Sequence, residues 1–167
     1  MSHGRILQLG TTPIAPESFI DEFDLCDCTS FIGPIADSIS NNCERKVDFD
    51  EFVNRLRSIA GDTFSVSYAG DASENPEAFI IFGRGFKEAY FGERLKAFKK
   101  ITDAMTLYEF MSGTHQTWLV EETISERFGY YIYDENGYPM RLDSFFRKLP
   151  NDEEIKYWLG ATLDYHY

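Results

Sequence analysis

The sequence predicts an α+β fold in a single domain over residues 1–167, with a mainly antiparallel sheet of about five to seven strands and helices packed on one face. Three observations lead to this prediction. Apolar residues follow helical spacing over 49–60, whereas they alternate with polar residues over 63–69. Asn136 and Gly137 lie between two strand-like runs, which is typical of a hairpin and therefore of antiparallel pairing.

The N-terminal part of the chain predicts one strand and two short helices. The strand covers 5–9 and ends before a Thr-Thr-Pro sequence. A helix follows over 16–23, where the apolar residues share one face. A second short helix is predicted over 29–39, with Thr29 or Ser30 as its N-terminal cap.

The helix over 49–60 has the clearest helical pattern in the chain. Its apolar stripe consists of Phe49, Phe52, Val53, Leu56 and Ile59. Asp48 is predicted to cap its N-terminus, because Glu51 follows three residues later as in a capping box. Gly61 stands where a left-handed C-terminal cap is required.

After this helix the pattern changes to that of a sheet. Residues 63–69 predict a half-buried strand, because apolar and polar side chains alternate along it. Residues 70–76 predict a turn. The continuous apolar run over 78–82 predicts a strand in the centre of the sheet.

Two further helices are predicted in the middle of the chain. The longer one covers 93–105. Its inner face is predicted to consist of Leu95, Phe98 and Ile101. Thr106 and Glu109 have the spacing of a capping box and start a short helix that ends near Gly113.

The last third of the chain is predicted to form sheet. A strand is expected over 116–120, and the runs 130–134 and 138–142 are expected to pair as the hairpin. Residues 151–154 predict a turn. The alternating pattern over 156–167 predicts a long closing strand with one apolar face.

The chain carries a formal net charge of −12, and this charge is unevenly distributed. Residues 84–100 contain six bases and two acids, whereas the segments on either side are acidic. An acidic surface repels phosphate groups, which disfavours general binding to nucleic acid or to an anionic membrane. We therefore expect a protein partner with a basic surface.

The absence of apolar targeting segments in the sequence and the number of cysteines indicate the cellular compartment. No apolar run approaches the ~18 residues of a membrane-spanning helix, and the first residues lack the apolar stretch of a secretory signal. The three cysteines are an odd number, and a chain of this length folds without disulfides. These observations predict a cytoplasmic protein with reduced thiols and no membrane partner.

The cysteines are the first candidates for chemistry. Cys26 and Cys28 are close enough to share a zinc ion, and Cys43 is a third candidate ligand. Zinc requires four ligands, and no second cysteine pair exists. The neighbouring acids Asp24 and Asp27 disfavour the negatively charged thiolate that zinc binding and nucleophilic chemistry require. We therefore expect no metal and no cofactor.

An enzyme is the third of three hypotheses. Its site would contain His115 as a base, with Cys28 or Ser112 as nucleophile and Glu121 as an acid. The sequence contains no nucleophile elbow of the G-x-S-x-G type. We therefore predict no catalytic residue.

A nucleic-acid-binding accessory protein is the second hypothesis. Bases and aromatic residues are interleaved over 84–100, a combination that can hold single-stranded nucleic acid. The candidate contacts are Arg84, Lys87, Arg94, Lys96, Lys99 and Lys100. The same pattern is also typical of an ordinary amphipathic surface helix.

A non-enzymatic interaction protein is the first hypothesis, and its profile resembles that of immunity proteins, antitoxins and inhibitors of nucleic-acid enzymes. Acidic surfaces of this kind match cationic active sites and phosphate channels. The candidate partner-binding residues are Glu17, Asp21, Glu22, Asp24, Asp27 and Asp37, with no base between them. A homodimer is a further expectation, because the closing strand, which carries Trp158, Tyr165 and Tyr167, is expected to offer a free edge.

Overall fold

The computed structural model describes residues 2–69 and 77–167, so the turn predicted over 70–76 lies outside the described residues. The strands are β1 His3–Gly10, β2 Ser38–Ser40, β3 Phe64–Ala69, β4 Glu77–Phe82, β5 Tyr130–Tyr133, β6 Pro139–Arg141 and β7 Ile155–His166. The α-helices are α1 Arg45–Ala60, α2 Phe86–Ala104, α3 Leu107–Ser112, α4 His115–Ile124 and α5 Leu142–Lys148. Two 3₁₀ turns cover Pro16–Ser18 and Glu22–Leu25.

All seven strands belong to one sheet, which confirms the predicted α+β class. The order is β3-β4-β7-β1-β5-β6, and β2 pairs with the C-terminal end of β7. β1 and β5 are parallel, whereas every other described pair is antiparallel. The hairpin predicted around Asn136 and Gly137 is confirmed as β5 and β6.

β7 is the central strand of the sheet. β1 pairs with one of its edges, and β4 and β2 pair with the other. The prediction that the closing strand offers a free edge to a second copy is therefore wrong, because β1 occupies one edge and β4 and β2 occupy the two ends of the other. A homodimer would have to use another surface.

A β-bulge changes the face on which the side chains of β7 lie. Leu7 pairs with Thr162 but Leu9 pairs with Leu159, so β7 contains one extra residue between these positions. The predicted single apolar face of β7 is consequently wrong. Leu159 packs with the helices, whereas the opposite core contains Ala161, Leu163 and Tyr165.

The two faces of the sheet are covered differently. α1, α2 and α5 cover one face, and their contribution to the core includes Phe49, Phe52, Leu56, Phe86, Tyr90, Phe145 and Phe146. The opposite face is covered by the irregular segment between β1 and β2, through Ile20, Leu25, Phe31 and Ala36. The prediction of helices on one face is confirmed.

The irregular segment replaces the two short helices predicted over 16–23 and 29–39. Only two 3₁₀ turns form, followed by a bridge between Ile32 and Ala36 and by β2. Gly33 has a φ of 92°, and Pro34 cannot donate a backbone hydrogen bond. These two residues break any helix across this region.

α1 begins four residues before the predicted start, at Arg45 rather than Phe49. Asp48 is therefore not its cap: it lies buried in the first turn and bonds to side chains of the sheet. Gly61 is the C-terminal cap as predicted, but its φ of 60° is combined with a ψ of −136°, so it does not adopt the predicted left-handed helical conformation. α3 is also confirmed, because Thr106 and Glu109 form both bonds of a capping box and Gly113 ends the helix.

α2 and α4 differ from the predictions. α2 begins at Phe86 instead of residue 93, and Leu95, which was assigned to its inner face, is exposed. Residues 116–120 lie in helix α4, so the strand predicted there is wrong. α4 packs against α2, and this packing outweighs the β propensity of its residues.

Candidate functional site

The acidic segment, which we define as residues 17–37, presents its charges outward. Its apolar side chains are buried against the sheet. Of the six predicted partner-binding carboxylates, five are exposed and the sixth, Glu22, is half-buried. None of the six forms an ion pair within residues 2–69 and 77–167. The segment therefore carries uncompensated negative charge.

Hydrogen bonds fix the backbone of the acidic segment. The Asp21 Oδ1 atom accepts from the backbone N–H of Phe23 at 2.8 Å, and Asp24 Oδ2 accepts from the N–H of Asp21 at 2.8 Å. Gln8 of β1 donates to the Ser18 carbonyl at 3.0 Å. Phe23 lies next to these acids in the sequence and is 72% exposed. The segment thus combines anchored carboxylates with one exposed aromatic ring.

A groove separates the acidic segment from α4. Its volume is about 690 Å³, and the acidic segment contributes Pro34 and Ile35. α4 contributes Trp118 and Ile124, each 50% exposed, together with Glu121. A half-exposed tryptophan in a groove is the type of residue that dominates binding energy at protein interfaces.

α3 forms a second exposed surface, and this one is apolar. Four of its six residues are large hydrophobic side chains between 67% and 78% exposed: Leu107, Tyr108, Phe110 and Met111. A groove of about 380 Å³ adjoins them and is lined mainly by apolar side chains, including Met105 and Val120. Contiguous apolar patches of this kind mark interaction sites more often than solitary exposed residues do.

Three of the six bases proposed for nucleic-acid contact are engaged within the protein. Lys87 donates to the backbone carbonyls of Arg147 and Leu149. Arg94 pairs with Asp143, and Lys96 pairs with Glu93. The structure therefore does not bring all six bases together on one free surface.

The remaining three bases, Arg84, Lys99 and Lys100, are exposed. Phe86 and Tyr90, two of the interleaved rings, are fully buried in the core. Buried rings cannot stack on bases, and stacking is a principal source of binding to single strands. The nucleic-acid hypothesis stays a prediction with less support.

The residues proposed for an enzyme site are not drawn together by any contact in the described part of the chain. His115 is exposed at the start of α4, where its ring stacks on Trp118 at 5.6 Å between ring centroids. Glu121 lies six residues later on the same helix and thus points to a different side. Cys28 packs against the core under the acidic segment. The enzyme hypothesis stays a prediction.

The three cysteines are free thiols. Burial, together with the neighbouring carboxylate of Asp48, raises the pKa of Cys43 to about 12. Cys26 donates to the Phe23 carbonyl at 3.0 Å. A protonated Cys43 is a poor nucleophile and a poor metal ligand.

A cluster of charged side chains that sequence reasoning missed lies where β1 pairs with the end of β7. Arg5 Nε donates to Asp48 Oδ1 at 2.7 Å, and its Nη1 donates to Asp164 Oδ1. The second oxygen of Asp164 lies 2.9 Å from His3 Nδ1 and 3.2 Å from His166 Nε2. The two histidine rings are 4.1 Å apart between centroids.

Comparison of the chain with known protein families, curated proteins and solved structures gives no match. Among the helices in the described part of the chain, none has both the length and the hydropathy needed to cross a bilayer. The candidate surfaces are therefore interpreted from their own chemistry.

Proposed function

We propose that the chain is a non-enzymatic binding protein whose acidic segment recognises, and blocks, a basic surface on another protein. The observation that carries this proposal is the uncompensated charge of the segment. Elsewhere, buried or partly buried carboxylates such as Asp48, Asp143 and Asp164 are matched with arginines. Residues 17–37 contain six acids and no base.

Charge complementarity identifies the chemical class of the partner. An array of exposed carboxylates steers a basic protein during diffusional encounter and disfavours acidic partners. Phe23, exposed among these acids, supplies an apolar contact that a purely electrostatic surface would lack. A nucleic-acid enzyme with a cationic phosphate-binding surface has the required complementarity.

The groove between the acidic segment and α4 extends the proposed interface. Trp118 and Ile124 supply apolar area there. The carboxylates of Glu121 and Glu122 line the groove together with Arg127 and Arg141, so the groove contributes apolar contact and no excess of negative charge. An apolar centre with a charged rim is the arrangement found in specific protein interfaces.

The apolar surface of α3 supports a binding role in general. It carries no information about the charge of a partner, because its exposed side chains are uncharged. We therefore assign the basic partner to the acidic segment and not to α3.

The test compares two triple charge reversals. The first variant, Glu17→Lys with Asp27→Lys and Asp37→Lys, changes exposed acids that the turns of the segment do not use as caps. The matched control, Asp152→Lys with Glu153→Lys and Glu154→Lys, changes the net charge equally at another exposed site. Both variants should keep the fold, which circular dichroism would verify.

The wild type and both variants are fixed to resin and exposed to nuclease-treated native lysate at about 0.05 M and about 0.3 M salt, where the screening length differs roughly twofold. A captured protein is then purified and titrated against each variant. The proposal expects a basic protein whose affinity falls at least ~10-fold for the segment variant and at high salt, and not for the control. Equal binding to all three proteins, or binding that requires nucleic acid, would refute the proposal.

A further inference from the structure

Three potential metal ligands meet at the paired ends of β1 and β7. One ring nitrogen of His3, one ring nitrogen of His166 and a carboxylate oxygen of Asp164 all lie within 4.8 Å of one another. Within the described part of the chain this is the one group of three such side chains at that distance, and it contains no cysteine. The two histidines belong to paired residues of neighbouring strands.

The distances fit the coordination sphere of zinc. Ligands that surround Zn²⁺ tetrahedrally at about 2.0–2.2 Å lie about 3.3–3.6 Å from one another. Asp164 Oδ2 is 2.9 Å from His3 Nδ1 and 3.2 Å from His166 Nε2. Small side-chain rotations would therefore place all three atoms around one ion, with no movement of the strands.

The surrounding residues favour a cation at this point. Arg5 donates to the other oxygen of Asp164 and so orients the carboxylate toward the histidines. Asp48 and Asp164 are both buried, and Arg5 is the guanidinium that pairs with each of them. Two carboxylates facing one guanidinium leave a negative charge that a bound cation would balance.

We propose that His3, Asp164 and His166 bind one Zn²⁺ ion, with a fourth position filled by solvent. The two imidazoles are borderline ligands suited to zinc, which also accepts a carboxylate oxygen, whereas Mg²⁺ and Ca²⁺ require mainly oxygen ligands. The His3 side chain is 50% exposed, so this ligand is accessible from solvent. This site is independent of the acidic segment and of the proposed partner.

The test uses the intact chain, treated with a chelator and then titrated with ZnCl₂ in a calorimeter. His3→Gln and His166→Gln each remove one ligand, and His115→Gln is the matched control, since that histidine is exposed on α4. One zinc ion per chain is expected for the wild type and for the control. Both ligand variants should bind at least ~100-fold more weakly, because ligands contribute no less than their supporting residues.

Two further measurements distinguish the loss of a zinc ligand from misfolding of a variant. Co²⁺ in place of Zn²⁺ should give the visible absorption of a four-coordinate site in the wild type and lose it in both ligand variants. Circular dichroism should show the same fold in all four proteins. No zinc binding by the wild type, unchanged binding by His3→Gln and His166→Gln, or equal affinity for Mg²⁺ would overturn the proposal.

Discussion

The side-chain amide of Gln8 occupies the space above Gly160, where a Cβ atom would lie only 2.3 Å from its Oε1 atom. That oxygen accepts from the backbone N–H groups of Ile20 at 3.1 Å and Ala161 at 3.0 Å. The amide nitrogen donates to the Ser18 carbonyl. Gln8 therefore links β1, the bulge of β7 and the acidic segment, and only a glycine at 160 leaves room for it.

Gly160→Ala should destabilise the protein by about 1–3 kcal/mol, because it displaces Gln8 and leaves buried backbone N–H groups without an acceptor. Chemical denaturation would measure this change. Gly92→Ala is the control: Gly92 lies within α2 with open space at its Cβ position, so alanine there should stabilise by about 0.5–1 kcal/mol. Equal effects at the two glycines would contradict the assigned role of Gln8.

The buried ion pair between Arg94 and Asp143 offers a second prediction. Asp143 is 1% exposed and accepts from Arg94 Nη2 at 2.7 Å and from the Tyr90 hydroxyl at 2.8 Å. Arg94→Met should cost about 3–5 kcal/mol, because it leaves a buried carboxylate without its cation. Lys96→Met, which removes an exposed pair on the same helix, should cost less than about 1 kcal/mol.

The triple variant Arg94→Met, Asp143→Leu and Tyr90→Phe extends this test. It removes both charges of the pair and the Tyr90 hydroxyl together. The Glu122 carbonyl and Glu126, which Arg94 also contacts, lose this contact equally in Arg94→Met and in the triple variant, so the comparison isolates Asp143. Denaturation should show that it recovers most of the stability lost by Arg94→Met alone. A loss equal to the sum of the single losses would contradict the interpretation of a coupled buried network.

The pair between Asp50 and Tyr68 predicts a dependence of stability on pH. Burial opposes ionisation of Asp50, but hydrogen bonds from Lys46 and Tyr68 outweigh it and hold its pKa below the usual value. Because the pKa is lower in the folded state, the stabilisation is present above the unfolded pKa and is lost as the pH falls through the folded pKa. Tyr68→Phe should therefore cost ~0.5 kcal/mol at neutral pH, a small value because the pair is solvent-screened.

The stability difference between wild type and Tyr68→Phe should shrink when denaturation is repeated at acidic pH, below the ordinary pKa of an aspartate. Tyr108→Phe is the control, because Tyr108 is 78% exposed on α3. That substitution should have the same negligible effect at every pH. A Tyr68→Phe difference that stays constant from neutral to acidic pH would show that Asp50 is not the group concerned.

Local sequence patterns correctly predicted the elements in which the spacing of apolar, capping or turn residues matches the observed structure. The stripe of α1, the capping box of α3 and the β5–β6 hairpin were predicted from sequence and confirmed. The predicted start of α1 was wrong. Asp48 has a side chain suited to an N-terminal cap, but it accepts a hydrogen bond from Arg5 of β1, which lies 43 residues away in the sequence. A local pattern contains no information about that bond.

Packing between distant elements also determines the helical conformation of α4 and the central position of β7 in the sheet. The run around Trp118 has the composition of a strand, yet it forms a helix that packs on α2. The long strand 155–166 was predicted, but its central position was not, because strand order depends on pairings that cross most of the chain. Both features depend on contacts between residues that are far apart in the sequence.

The charged cluster was missed for the same reason. His3 and Asp164 are 161 positions apart, and only the pairing of β1 with β7 brings them together. One signal was present in the sequence: Asp164 and His166 are two residues apart in a predicted strand and so share a face. His3 and Arg5 show the same spacing in the opening strand.

The display of apolar side chains on α3 depends on its N-terminal cap. Thr106 Oγ1 accepts from the Glu109 N–H at 3.2 Å, and Glu109 Oε2 accepts from the Thr106 N–H at 2.8 Å. Thr106→Ala removes the first bond, so the helix should open more often and its amide hydrogens should exchange about fivefold faster. Hydrogen exchange followed by mass spectrometry would measure this in peptides that contain residues 107–112.

Ser112→Ala is the matched control in the same helix, because the Ser112 hydroxyl donates to the Glu109 carbonyl at the C-terminal end and caps no N–H group. It should leave amide exchange in α3 nearly unchanged, since serine is no better than alanine as a helix former. Exchange in α1 should be the same in both variants and in the wild type, because its bonds do not involve α3. If Thr106→Ala and Ser112→Ala accelerate exchange equally, the capping box does not hold α3, and its apolar surface must be maintained by packing against α4.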